Sequence, residues 1–292
     1  MKVAMPSTPP DLQALRRRLD EIDDRLQDLL IDRAEIVALV AASKKEGDQP
    51  AFQPAREAEI IRRLVGRHHG HFPVASLVRM WREMLAATVS LQSPFSVAVF
   101  APADTQGVWD LARDHYGSRT PMTRYDTAGP VIRAVSGKES SVGVLPMPRA
   151  GEPDPWWPKL LSGAEDMPRI IARLPFAAHG TGRSNGAEAL TIGFSIQQES
   201  GLDRTWLGLE CPANITRARI SKYFSMAGLV CTFLEEGHDG RPLNLIELEG
   251  FVPLSDKRLD SFCAALEGVP YRLLPLGGYA VPLAPAILAS KD

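Results

Sequence analysis

From Asp11 to Glu46 the chain contains neither Pro nor Gly. Within that stretch the apolar residues Leu12, Leu15, Leu19, Ile22, Leu26, Leu29, Leu30, Ile36, Val37 and Val40 recur mostly at steps of three and four. That spacing predicts an amphipathic helix. Thr8-Pro9-Pro10-Asp11 supplies start signals and Gly47 a stop. A helix of about 36 residues would span roughly 54 Å. Such a length exceeds what a small compact domain can cover, so the expectation is a helix shared with a second copy of the chain.

The same helix carries Arg16, Arg33 and Lys44. Taken singly, each is most simply a solvated or salt-bridged position. Geometry makes the set informative. Arg33 and Lys44 are about three turns and roughly 16 Å apart on nearly one face, so they could clasp a small dianion. Arg16 lies roughly 26 Å from Arg33 and about 100° around the axis. It cannot reach the same small ligand from one straight helix, and would join that site only from a partner chain.

Two shorter helices follow. One begins near Pro54 in PAREAEIIRRLVGR and carries Arg56 and Glu57; the other, PVASLVRMWREMLAATVSLQ, carries Thr88 and Gln92 at i, i+4, on one face. From Ser96 the period changes. SVAVFAP, PMTRYDT and SVGVLPMP read as strands separated by the helices GVWDLARDHYG and GPVIRAVSG, the alternation of an open α/β lobe with parallel strands. GEPDPWWP is a Pro-rich break, with Trp156-Trp157 expected as a packed loop anchor, and PRIIARLPF is a further strand. AAHGTGRSNGAE reads as a loop or linker. Another strand, ALTIGFSI, begins at Ala189, and from Thr205 the order is βαββαβ, a split βαβ unit, with a hairpin turn at His238-Asp239-Gly240.

Residues 11–92 resemble the all-helical (AroQ-type) chorismate mutase family, in the form fused to prephenate dehydratase in bifunctional bacterial proteins. The register holds from Leu15-Arg16 through Leu26, Leu29, Arg33, Lys44 and Pro50 to Arg56-Glu57, then through Arg79, Thr88 and Gln92. The resemblance implies an intertwined homodimer whose long first helices run together, each site receiving Arg16 from the partner. It implies that Arg33 and the partner's Arg16 bind the two carboxylates of chorismate, with Thr88 beside one of them. Lys44 and Gln92 would aim donors at the ether oxygen. Glu57 would accept from the substrate hydroxyl, Arg56 would support that side, and Gln53 would stand where relatives often have an acid. Lys44, Gln92 and Glu57 are thus the expected catalytic residues; Arg16, Arg33, Arg56, Gln53 and Thr88 are expected to bind substrate. The expected reaction, chorismate to prephenate, requires no cofactor and no metal.

The remainder resembles the later modules of that family only in part. Val142-Gly143-Val144-Leu145-Pro146-Met147 is similar to a dehydratase strand, but Pro148-Arg149 follows where Glu-Asn is expected. In place of a Thr-Arg-Phe signature stands Ala189-Leu190-Thr191. The resulting expectation is three domains: an all-α mutase domain at 8–93, a degenerate dehydratase-like α/β lobe at 96–188 without dehydratase activity, and an ACT-like α+β domain at 189–288. ACT domains commonly bind an amino acid, so an effector there is possible by resemblance, with a structural or dimerising role favoured. Retained dehydratase activity, or a non-catalytic scaffold, are the competing expectations.

Composition narrows the rest. A formal net charge of -2 offers no case for nucleic acid or an anionic membrane. No apolar run reaches a membrane span, and MKVAMPSTPP has no apolar core of a signal segment, so a cytoplasmic enzyme is expected. Cys211, Cys231 and Cys263 read as buried free thiols in a reducing compartment. His68, His69 and His71 lack partners at metal-ligand spacing, and Gly180-Thr181-Gly182 lacks the lysine of a nucleotide loop.

Overall fold

A computed structural model describes residues 11–43, 51–103, 107–161, 167–177, 186–237 and 242–288. Lys44, the stop at Gly47, the glycines 180 and 182, and the turn at 238–240 lie outside the described residues. The chain divides into two compact units, Met1–Ala51 and Phe52–Asp292.

Among the described residues of the first unit the one element is the helix α1 (Leu12–Ser43), formed by the amphipathic stretch. It has no buried residue, and most apolar side chains of its stripe, among them Leu19, Leu26, Leu29 and Ile36, are about half exposed or more.

The second unit begins with α2 (Pro54–Gly66) and α3 (Val74–Gln92). Pro54 occupies the first turn of α2, where a missing N–H costs nothing. Ala58 and Ile61 of α2 and Val78 and Leu85 of α3 form one core with Phe176, Ala280 and Leu283, contributed from far later in the chain. The lobe follows as β1 (Val97–Phe100), α4 (Gly107–Tyr116), β2 (Met122–Tyr125), α5 (Ala128–Ser136), β3 (Val142–Pro146), β4 (Arg169–Leu174) and β5 (Ala189–Gly193). β1 and β3 are apolar and buried along most of their length, as strands covered on both faces must be, whereas β2 lies at the edge and exposes its middle. β1 pairs parallel with β2 and with β3, as the strand–helix alternation predicts. β5 runs antiparallel to both β3 and β4, so the sheet is mixed. The sequence groups β5 with the following segment; its hydrogen bonds place it in the lobe's sheet.

The split unit is β6 (Asp203–Glu210), α6 (Arg217–Met226), β7 (Cys231–Glu236), β8 (Leu243–Glu249), α7 (Lys257–Ala265) and β9 (Arg272–Ala280), in the spatial order β9-β6-β8-β7. A four-residue helix, α8 (Pro285–Leu288), closes the described chain. Thr216 and Asp256 cap the two longer helices by accepting from the backbone N–H of Arg219 and Arg258. Phe224 and Phe262 stack at 3.9 Å between α6 and α7. Trp156 and Trp157 are both buried, and the Trp156 indole N–H donates to the Pro146 carbonyl at 2.9 Å, so the Pro-rich break is a packed anchor. Of the cysteines, Cys211 is buried and Cys231 and Cys263 are half-buried free thiols.

The two sheets join. β4 runs parallel to β9, with Ile170 opposite Gly277, producing one nine-stranded sheet ordered β2-β1-β3-β5-β4-β9-β6-β8-β7. Gly277 has φ +103, and a Cβ there would collide with the Ile170 carbonyl oxygen. Only glycine permits that approach. Among the described residues no helix is long and apolar enough to cross a membrane.

Candidate functional site

The expected site residues fall on both units. Arg16 is exposed on α1 and Arg33 is partly buried on the same helix. Gln53 precedes α2 at its N-cap. Arg56 is exposed in the first turn of α2 and pairs with Glu59 at 2.8 Å. Thr88 is buried on α3, its hydroxyl donating to the Leu85 carbonyl at 2.9 Å. The Gln92 side-chain amide donates to the Thr88 carbonyl at 3.1 Å. The two helical neighbours therefore share a face, as their spacing predicts, and each meets a backbone acceptor of its own helix.

Glu57 is the most perturbed of the set. It points from α2 into the α2–α3 interface, where its Oε2 accepts from Arg82 at 2.9 Å. The two side chains are only 6% and 11% exposed, Arg82 being the more enclosed. The Arg82 guanidinium lies 4.9 Å from the centre of the Phe176 ring. Arg62, one turn and a residue after Glu57, is 5.8 Å from the same ring. Burial raises the Glu57 carboxyl to about 6, with Arg82 opposing the shift. Burial also pulls Arg82 below its ordinary value, against the attraction of Glu57. Desolvation thus outweighs mutual attraction for both partners, the usual balance of an ion pair taken out of water.

The α4 helix supplies the neighbouring wall. Burial, followed by the Arg82 charge, pushes His115 well below its usual range. Burial likewise pushes the Tyr116 hydroxyl upward, and that hydroxyl donates to Thr191 at 2.8 Å. Phe52, Phe95 and Tyr116 form an aromatic cluster with centroid separations of 5.3 to 5.7 Å. A separate open groove of about 1100 Å³ lies between α3 and the lobe, lined by Glu83, Ala86, Ala87, Phe95, Arg119 and Lys138 among others. Among the described residues, none of the expected site residues lines it.

Arg82 is absent from the sequence-based set, although a signal for it exists. Val78, Arg82, Leu85 and Val89 are spaced four, three and four, so a charge occupies an apolar-stripe position of α3. Glu57 does the same on α2, beside Ala58 and four residues before Ile61. Opposite charges at core positions of adjacent helices are candidates for a buried pair. No cluster of His, Cys, Asp or Glu suited to a metal ion occurs among the described residues.

Residues 15–93 match the family described as chorismate mutase type II, so the chain carries a domain of that class at its N-terminal end. That domain precedes an α/β lobe and an α+β unit. The bifunctional chorismate mutase/prephenate dehydratase of Pseudomonas aeruginosa is 31% identical over 149 residues, 48% of this chain and 40% of that protein. The protein of the same description from Neisseria gonorrhoeae is 24% identical over 230 residues, 77% of this chain and 60% of the relative. The prephenate dehydratase structure from Streptococcus mutans aligns at TM-score 0.47 and 18% identity, covering 64% of this chain and 98% of that one. The chain spans about two fifths of the length of the first curated relatives it matches.

Proposed function

We propose that this chain is a chorismate mutase, converting chorismate to prephenate in aromatic amino-acid synthesis. The observation that carries the reading is the family match over residues 15–93, which spans Arg16, Arg33, Lys44, Gln53, Arg56, Glu57, Thr88 and Gln92. The reaction breaks an ether C–O bond as a C–C bond forms within one molecule. It requires no external nucleophile, so catalysis consists of holding the compact conformer and stabilising charge that grows on the ether oxygen. Arg33 and the partner's Arg16 take the two carboxylates, because a guanidinium fork binds a carboxylate through two hydrogen bonds. Thr88 turns its hydroxyl to one of these carboxylates. Lys44 supplies a compact charge and Gln92 an amide donor at the ether oxygen. Glu57 accepts from the ring hydroxyl, with Arg56 and Gln53 lining that side.

The working form in this reading is a homodimer. An exposed apolar stripe along a 32-residue helix needs a cover, and a second α1 is the complementary surface. The assay is loss of chorismate absorbance with the purified protein; no loss would leave the scaffold reading in its place.

A second reading is that the chain also dehydrates prephenate. It is favoured by the relatives, since the one whose match covers 77% of the chain is described as bifunctional. Pro148-Arg149 and Ala189-Leu190-Thr191, standing where the dehydratase motifs are expected, count against it. Phenylpyruvate formed from chorismate without acid treatment would establish the second activity. Phenylpyruvate appearing only after acid would leave the mutase alone.

A further inference from the structure

We propose that Arg82 is the positioning residue for the Glu57 carboxylate, and that the packing of Phe176 over Arg82 makes the lobe part of the mutase site. The inference rests on the mutase reading above.

Glu57 sits on α2 and Arg82 on α3, and their 2.9 Å contact crosses the interface of the two helices. The contact uses Oε2, which leaves Oε1 as the atom to receive the substrate hydroxyl. A carboxylate held at one oxygen by a rigid guanidinium keeps a fixed orientation for the other. Arg82 itself is fixed from the far side. Phe176, which follows β4, covers its guanidinium at 4.9 Å, and Pro175, Phe176, His115 and Arg82 border a small cavity of about 80 Å³. Glu57 is thus oriented through a relay whose last member lies 119 residues beyond it (176 − 57).

The titratable groups facing Glu57 are Arg82 from α3 and Tyr116 from α4, and His115 of α4 faces Arg82. Burial keeps His115 neutral, and burial keeps the Tyr116 phenol protonated. Arg82 is therefore the cation that decides how readily Glu57 ionises. Burial and Arg82 act on Glu57 in opposite directions, so two substitutions should move its ionisation in opposite directions.

The test is the pH profile of kcat/KM for the full-length protein and three variants. Wild type should rise through about pH 6, where Glu57 takes its charge. Arg82→Gln removes the opposing cation and should move this acid limb up by about one unit, so that kcat/KM at pH 6, scaled to each protein's own plateau, is approximately fivefold lower than in wild type. Arg82→Lys keeps the charge and should hold the limb near its wild-type place. Phe176→Leu opens the pair to water and should move the limb down toward the ordinary glutamate range. A residue that merely supports the fold would lower the plateau of each variant and leave the limb where it is. Should Arg82→Gln not fold, by circular dichroism, the Phe176→Leu profile decides: an unmoved limb in that folded variant overturns the proposal. Wild type without chorismate turnover would instead refute the mutase reading, so the two failures are distinct.

Discussion

Replacing Arg62 by Met should destabilise the protein far more than any other single change on the outer face of α2. Arg62 donates through one nitrogen to the Ser200 carbonyl at 2.9 Å and the Ser200 hydroxyl at 3.0 Å. The other nitrogen donates to the carbonyls of Leu202 at 2.8 Å and Val281 at 2.7 Å. The side chain therefore ties α2 to the segment before β6 and to the end of β9. Methionine keeps most of the apolar stem, so the loss measures the guanidinium. Leu202 retains a donor, the Val281 N–H at 2.8 Å, and the Ser200 hydroxyl still reaches Asp203 at 2.6 Å. The carbonyls of Ser200 and Val281 lose a charged donor. At about 1.5 to 3 kcal/mol for a hydrogen bond to a charged group, reduced by partial exposure, the expected cost is about 2 to 4 kcal/mol. For a chain of this size that lowers Tm by roughly 5 to 10 °C in scanning calorimetry. Arg62→Lys should recover less than half, because one ammonium cannot span acceptors spread over two segments. Arg63→Met, an exposed neighbour on the same helix, is the control and should stay within about 0.5 kcal/mol. An Arg62→Met shift no larger than that control would refute the idea that this clamp holds α2 to the sheet.

Three further outcomes are expected. The Glu57 carboxyl has its pKa raised from 4.5 to about 6 on folding, so the folded state holds this proton more tightly than the unfolded chain. Its contribution to stability is present below about pH 4.5 and is lost as pH rises through 6, about 2 kcal/mol from 1.5 units at 1.36 each; urea midpoints of Glu57→Gln should lack that decline relative to wild type. Mixing Arg16→Ala with Lys44→Ala protein should restore part of the mutase activity after subunit exchange, and exchange without restored activity would mean that Arg16 serves its own chain. Gly277→Ala should lower Tm by several degrees or prevent folding, at about 2 to 4 kcal/mol, since a Cβ meets the backbone of β4.

Much of the architecture is legible in local pattern. Helices of period near 3.6 give way to short β-rich runs at Ser96, and each run from Val97 to Ala280 that reads as a strand or helix forms one. Pairing across distance is not legible in this way. Ile170 and Gly277 lie 107 residues apart, and nothing in RIIARL or RLLPLGGYA says that these strands are neighbours. Gly277-Gly278 within a strand is the one local hint of a close backbone approach. The candidate site divides similarly. Thr88 and Gln92 share a face because helical spacing requires it. Glu57 and Arg82 each announce themselves as a charge in an apolar stripe, yet their meeting depends on how α2 and α3 pack. The closure of that pair by Phe176 depends on a turn after β4, which no pattern in the helices encodes.

The division of the chain at Ala51/Phe52 has a practical corollary for anyone who dissects it. A cut chosen by catalytic inheritance would fall near residue 94, between the last mutase helix and the first strand. That cut would strip α2 and α3 of Phe176, Ala280 and Leu283, the residues that complete their core. The segment passed down as a module and the segment that holds itself together are different pieces of this polypeptide. A gene fragment ending after α3 would encode the whole of the matched segment while leaving behind the Phe176, Ala280 and Leu283 side chains against which its second and third helices pack.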